Sequence, residues 1–174
     1  MLKKHKSFSP RPTKNFAYHV AWANFISEQD YTHVLTLQWN RSIGFDKANE
    51  DLKELHAHID RKLLGPRYTK KPERSQAIFF LEGEPGLNLH AHSAWWVKPQ
   101  HQLTFESLFP KDPSSDAGAW KTIAPAGTQV LKASDNVRAE AAYLTKEIHW
   151  DGDDRRLIFS HEFFPSPSPQ ILQA

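Results

Sequence analysis

Two apolar runs on either side of a short turn constrain the fold of this 174-residue chain more than any other feature. The run QAIFFLEGE is followed by Pro85 and Gly86, and then by a second run, LNLHAHSAWWV. Both runs are rich in the aromatic and branched residues that strands favour, and a Pro-Gly turn commonly joins neighbouring strands. The pattern therefore predicts two antiparallel strands joined as a hairpin.

The tripeptide His-Ala-His occurs twice. The spacing of apolar residues around each copy indicates that the first lies in a helix and the second in a strand. His56 and His58 lie in FDKANEDLKELHAHIDRKLLG, where apolar residues recur at helical spacing until a Gly-Pro pair. On a helix, residues i and i+2 point roughly 200° apart, so this pair does not easily hold one ion. His90 and His92 lie in the second predicted strand, where i and i+2 share a face. The strand copy is the candidate metal site.

Glu82 is the candidate third ligand, because it ends the first strand of the hairpin, eight positions before His90. Together with His92 these residues offer two nitrogens and one oxygen, with open positions for water or a substrate oxygen. Glu84 is the alternative carboxylate, but its place in the turn favours a solvent-facing side chain. For an isolated His-x-His, two histidines at a polar strand edge beside a surface acid are the more common explanation.

The absence of cysteine restricts the chemistry further. It excludes disulfides, thiolate catalysis and cysteine-ligated zinc or iron-sulfur sites, so that any metal must be held by His, Asp or Glu. No apolar run approaches the length of a membrane span, and the N-terminus lacks the apolar core of a signal peptide. We expect no membrane contact and a cytoplasmic location.

Other periodic segments predict the remaining elements. YTHVLTLQWN predicts a strand, residues 46 to 64 predict an amphipathic helix with Asp46 as its cap, and NVRAEAAYLTKEIHW predicts a helix capped by Ser134 or Asp135. AYHVAWANFISEQD is either a short helix or a loop. Residues 98 to 133 are expected to hold one more strand, and RRLIFS a final one. A phosphate-cradling glycine loop is missing, which excludes the usual nucleotide hydrolases.

Tyr143 and Lys146 form a second constellation, three residues apart on one face of the later predicted helix. A tyrosine hydroxyl can act as a covalent nucleophile, and a lysine can bind a phosphate oxygen or balance charge at a reacting centre. Taken alone, an inward-packing aromatic residue and a solvated lysine paired with Glu147 or Asp151 explain the same two positions equally well.

Both constellations together, in this order, resemble the HUH endonucleases. Three segments resemble, in turn, the three motifs of the single-tyrosine rolling-circle replication initiators, the Rep type of that superfamily: HVLTLQWN, LHAHSAWW and AAYLTKEI. The middle residue of the HUH motif is normally bulky, and Ala91 is a mild departure. The resemblance covers about residues 31 to 148. It implies an α+β fold in the ferredoxin-like style, a central antiparallel sheet flanked by helices.

The resemblance also implies a reaction on single-stranded DNA at an origin or hairpin. Glu82, His90 and His92 would bind Mg²⁺ or Mn²⁺, and Tyr143 would attack the scissile phosphate with Lys146 beside it. The products would be a 5′-phosphotyrosine link and a free 3′-hydroxyl, and the same site could rejoin a strand during rolling-circle replication. Such initiators often carry a helicase domain. We therefore expect either an excised domain or a system that borrows a separate helicase, located wherever the replicating DNA resides.

Residues outside the two constellations are candidate DNA contacts. Trp39 could stack on an unpaired base, and basic residues could bind phosphates: Arg41, Arg67, Lys70, Lys71 and Arg74. The alternative for each is a core tryptophan or a solvated charge. The first fourteen residues hold five Lys or Arg and no acid, which predicts a basic flexible arm at 1–14. We expect the rest of the chain to form an HUH endonuclease domain at 15–160 and a tail or truncated linker at 161–174.

Three other functions fit part of the pattern. A cupin with non-haem iron uses the same ligand types, but its glutamate closely follows His-x-His, where this chain has Ser93, Ala94 and two tryptophans. A zinc hydrolase leaves Tyr143 and Lys146 without a role. A non-catalytic domain that binds single-stranded nucleic acid, with a structural metal site, is the main alternative. Replacement of Tyr143 by Phe separates that domain from the enzyme.

Overall fold

The structure is a computed structural model and describes residues 14–71, 73–112, 115, 117–148 and 154–163. Most of the predicted basic arm and residues 164–174 of the predicted tail lie outside the described residues. The helices are α1 Lys14–Ser27, α2 Phe45–Leu64, α3 Pro99–Ser107 and α4 Val137–Leu144, and the strands are β1 His33–Gln38, β2 Gln76–Glu82, β3 His90–Trp96, β4 Thr128–Ala133 and β5 Leu157–Phe159. Short 3₁₀ turns occupy Tyr68–Lys70, Trp120–Thr122, Asp154–Arg156 and Ser160–Phe163.

The five strands form one antiparallel sheet in the order β4-β1-β3-β2-β5. The predicted α+β class, a central antiparallel sheet flanked by helices, is confirmed. The predicted hairpin of β2 and β3 is confirmed as well, with Gln76 opposite Trp96 at one end and Glu82 opposite His90 at the other. The linear order leaves β4 and β5 at the edges, which differs from the closed fold of a cupin.

The two faces of the sheet are covered by different helices. One face carries the larger core, where Trp95 and other sheet residues pack with Leu52 and Leu55 of α2 and Phe105 of α3. The opposite face carries a smaller cluster that includes Ala94 of β3 and residues of α1 and α4. Because side chains alternate along a strand, residues 90, 92, 94 and 96 of β3 face α1 and α4. The candidate metal ligands therefore lie on the more thinly covered face.

Helix boundaries show where local prediction fails. The predicted cap Asp46 is wrong, because Gly44 holds the N-cap position and Asp46 lies in the first turn of α2, where its charge suits the helix dipole. Ser134 and Asp135 are also not the cap of α4. That role belongs to Asn136, whose side chain accepts from the backbone N–H of Ala139 at 3.2 Å.

Two further differences concern helix content. The segment that could be a helix or a loop is the helix α1, whereas α3 lies in a region for which only a strand is predicted. The helix predicted over residues 136 to 150 ends at Leu144, and a turn of Thr145 to Glu147 follows. Residues 149 and 150 of that prediction lie outside the described residues. Lys146 thus follows α4 instead of belonging to it.

Candidate metal centre and active site

Glu82, His90 and His92, called the metal triad below, converge on the sheet face beneath α4. The Oε2 atom of Glu82 lies 3.4 Å from Nε2 of His90 and 3.4 Å from Nε2 of His92. One ligand atom from each residue falls within 4.8 Å of the other two. Glu82 and His92 are buried, whereas 27% of the His90 side chain is exposed. The group can hold a metal ion, and its His90 side is the more open to solvent.

Hydrogen bonds behind the two histidines orient their rings. Nδ1 of His90 lies 3.1 Å from the carbonyl oxygen of Asn88, which can only accept, so this ring nitrogen carries a proton. Nδ1 of His92 lies 2.9 Å from the hydroxyl of Thr36, which can accept in the same way. Such contacts behind a ligand fix its tautomer and ring orientation. They leave the Nε2 atom of each ring directed at Glu82.

The metal triad has one feature that a bound cation would satisfy. The Oε1 atom of Glu82 is buried, and no described residue makes a hydrogen bond with it. An unpaired buried acceptor costs on the order of 1–3 kcal/mol. The donor set of two nitrogens and one oxygen fits a divalent metal ion.

Lys146 is the nearest cationic group to the metal triad. Its Nζ atom lies 2.8 Å from Oε2 of Glu82. Burial by itself raises the pKa of Glu82, but hydrogen bonds from His92 and Lys146 outweigh it and hold that pKa below its ordinary value. Burial by itself lowers the pKa of Lys146, and the hydrogen bond and charge of Glu82 more than reverse this effect. Both side chains are therefore charged at neutral pH.

Tyr143 approaches the metal triad from α4. Its hydroxyl lies 3.3 Å from Nε2 of His92, and the two rings meet at 72° with centroids 4.9 Å apart. Nζ of Lys146 lies 3.8 Å from the centroid of the Tyr143 ring. Half of Tyr143 is exposed. The hydroxyl is thus directed at the metal triad while remaining accessible to a large substrate.

Two cavities border the metal triad at different residues. The first, here called the loop cavity, has a volume of about 440 Å³, and its lining includes Gln38, Arg41, Ser42, Leu87, Asn88 and His90. The second, called the helix groove, has a volume of about 460 Å³, and its lining includes Val34, Thr36, Val130, Lys132, Glu140 and Tyr143. One cavity thus borders the His90 side and the other borders Tyr143.

The prediction that Trp39 stacks on a base is wrong. Trp39 is fully buried, packs edge-on against Trp120 at 5.1 Å between ring centroids, and donates from Nε1 to Asp51 at 2.9 Å. Because its ring is packed in the core and its N–H is hydrogen-bonded, Trp39 has no exposed face on which a base could stack. Arg41 is different, because it is exposed beside the loop cavity and lies 3.7 Å from the carboxylate of Asp51.

The other predicted DNA contacts lie far from the metal triad. Arg67, Lys70 and Lys71 are exposed, and Arg74 donates from Nε to Asp60 at 2.8 Å. These residues precede β2, whereas Glu82 ends it, and a strand of that length spans about 20 Å. The structure therefore places this basic segment at the opposite end of the sheet, and their role in DNA binding stays a prediction.

Sequence reasoning missed the residues that hold the ligands in place. Thr36 is directly opposite His92 in the β1–β3 register, and a β-branched hydroxyl residue in the middle of an apolar strand is the signal that could have identified it. The carbonyl of Asn88 carries no such signal, since any residue supplies one.

Comparisons of the chain with protein-family models, with curated proteins and with solved structures find no match. Within the described part of the chain, no helix combines the length and apolar character that crossing a membrane requires.

Proposed function

We propose that this chain is a metal-dependent endonuclease of the HUH type, which nicks single-stranded DNA at an origin or hairpin through a covalent 5′-phosphotyrosine and can rejoin the strand. The observation that carries the proposal is the Tyr143 hydroxyl, 3.3 Å from Nε2 of His92. Two histidines and a carboxylate serve many metal enzymes, but a phenol directed at them points to covalent catalysis. Initiation of rolling-circle replication, with a separate helicase, is the biological role that follows.

The metal triad would hold Mg²⁺ or Mn²⁺, and a bound ion would supply positive charge that polarises a phosphate oxygen. The Tyr143 oxygen forms a bond to phosphorus while the bond from phosphorus to the 3′ oxygen breaks. The phenol proton passes to water, and the departing 3′ oxygen takes a proton from water. One phosphodiester replaces another, so the reverse step rejoins the strand without an added energy source.

Lys146 supports this step by its position between two groups of the site. Its ammonium contacts Glu82 and also lies over the Tyr143 ring. A cation over the ring favours the negative charge that the phenol oxygen carries during attack, and it can bind a phosphate oxygen of the substrate.

The test is a search for the covalent adduct. The protein is incubated with a random pool of single-stranded DNA in Mn²⁺, in Mg²⁺ or in a chelator, and a denaturing gel shows whether DNA remains on the protein. We expect a metal-dependent adduct that Tyr143→Phe abolishes and Tyr18→Phe, on α1, retains. Sequencing the captured strands then gives the target site.

The competing function is a non-catalytic domain that binds single-stranded nucleic acid. The ion pair of Lys146 with Glu82 favours it, because this contact already balances the carboxylate charge. DNA binding without any adduct across the whole pool, in either metal, contradicts the enzyme and supports this second function.

A further inference from the structure

The loop cavity has walls that are already joined to each other. Its two loops, residues 39–44 and 83–89, are linked by hydrogen bonds from the Ser42 hydroxyl to the Gly86 carbonyl and from the Gly86 N–H to the Ile43 carbonyl, each 2.7 Å long. Gly83 has a φ of +83°, and a Cβ there would lie 2.6 Å from the carbonyl oxygen of Asn88. A preformed cavity of about 440 Å³ is within the range of small-ligand sites.

The walls combine apolar contact, hydrogen-bond donors and positive charge. Leu87 is 77% exposed at the cavity rim, where an apolar side chain can lie against a base or a sugar. The amide oxygens of Gln38 and Asn88 already accept, from Thr128 at 3.1 Å and from the Glu84 backbone at 2.8 Å. Their NH₂ groups are therefore the part of each amide available to a ligand.

Donor groups of this kind match the acceptor atoms on the edge of an unpaired base. The guanidinium of Arg41, 46% exposed, adds a phosphate-binding group to the same cavity. A nucleotide offers all three partners at once, namely an apolar base face, base acceptors and a phosphate.

The position of the loop cavity relative to Tyr143 indicates which nucleotide of the substrate it would bind. In a phosphoryl transfer, the attacking and leaving oxygens lie roughly in line on opposite sides of phosphorus. The attacking oxygen belongs to Tyr143, which lies beside His92, while the loop cavity begins at His90. The leaving 3′ oxygen, and the nucleotide that carries it, therefore departs on the side of the loop cavity.

We propose that the loop cavity binds the nucleotide immediately 5′ of the nick, selects its base, and retains its 3′-hydroxyl for rejoining. This proposal rests on the proposed function and extends it to a residue-level site for the departing strand. The helix groove, which includes Tyr143, lies on the side of the strand that becomes covalently attached.

The first experiment sequences the adducts that wild type, Leu87→Ser and Arg41→Gln form with the random pool, together with the released strands. Lys62→Gln is the matched control, since it also removes an exposed positive charge but lies in the last turn of α2, away from the loop cavity. We expect Leu87→Ser to weaken the base preference immediately 5′ of the nick and to leave the preference on the 3′ side as in wild type. A change confined to the 3′ side overturns the proposal.

The second experiment measures rejoining. Purified adduct is mixed with hexanucleotides that end in a 3′-hydroxyl, and the hexanucleotide concentration giving half-maximal transfer is determined. We expect this concentration to rise about tenfold for Leu87→Ser and for Arg41→Gln, and to stay within about twofold for Lys62→Gln. Adducts that form normally in both variants, with unchanged transfer and base preference, overturn the cavity proposal alone. A wild type that forms no adduct overturns the proposed function, and the cavity assignment with it.

Discussion

The two His-Ala-His copies are identical in sequence but lie in different surroundings. In α2, the ring of His56 is buried, stacks on Trp95 with centroids 5.6 Å apart, and faces the carbonyl of Ser75 at 3.1 Å from Nε2. His58 is half-buried on a different side of the helix. In β3, His90 and His92 share a face, and their ring centroids are 5.2 Å apart.

The difference shows that backbone period, more than residue identity, makes a pair of histidines into a ligand pair. Helical rotation sends one ring of the first copy into the core, where a backbone carbonyl and aromatic neighbours satisfy it. The pleat of a strand keeps both rings of the second copy on one face, and the hairpin places Glu82 beside them. The first copy contributes to stability and the second can contribute to function.

The largest expected effect comes from removing a ligand of the strand copy. His92→Ala takes one of three ligands from the metal triad and should weaken Mn²⁺ binding by at least about a hundredfold, measured by calorimetric titration of the DNA-free protein. His58→Ala makes the same change in the helix copy and should leave Mn²⁺ affinity as in wild type. Equal losses in the two variants would mean that the strand pair is not the metal site.

A smaller effect is expected from the hydroxyl behind His92. Thr36→Val keeps the shape of the side chain but removes the partner of Nδ1, so the ring loses the contact that orients Nε2. We expect Mn²⁺ affinity to fall about tenfold with little change in unfolding free energy. Thr69→Val, on an exposed residue far from the metal triad, is the control. Unchanged affinity in Thr36→Val would show that strand packing alone positions the ring.

The residues that sequence reasoning could place are those fixed by local pattern. His90, His92 and Glu82 follow from one hairpin, because the turn sets the register and the register sets the face. Thr36 and Trp39 depend on β1 lying between β3 and β4, which are separated from it by many residues. A strand pattern does not tell which strands become neighbours, so Thr36 was not identified as the partner of His92, and a core position for Trp39 could not be distinguished from an exposed one.

The same limit explains the remaining errors. The cap of α4 lies one or two residues after the predicted ones, because Ser134 and Asp135 have other partners: Ser134 donates to Glu140 at 2.6 Å, and Asp135 pairs with Lys132 at 2.7 Å. Cap preference ranks residue types, whereas the tertiary partners decide among adjacent candidates of similar type.

The smallest expected effect concerns the pH dependence of the unfolding free energy. It tests whether His56, in the helix copy, behaves as a core histidine. Burial lowers the pKa of His56 below its ordinary value of 6.5; Asp60 opposes this shift, and Arg74 adds to it. Well above pH 6.5 the ring is neutral in both the folded and the unfolded chain. As the pH falls below 6.5, the unfolded chain takes up a proton that the folded chain resists, so stability decreases, by up to about 1.4 kcal/mol per pH unit from this group.

Urea unfolding in a chelator, from roughly pH 5 to 8, measures this contribution as the difference in slope between wild type and His56→Gln. Glutamine can still donate to the Ser75 carbonyl but has no proton to gain, and every other residue is the same in both proteins. We therefore expect the variant to be less stable at neutral pH and to lose stability less steeply below pH 6.5. Parallel curves would mean that His56 is protonated as readily in the folded chain as in the unfolded one. The contrast between His56 and the ligand histidines His90 and His92 would then rest on geometry alone.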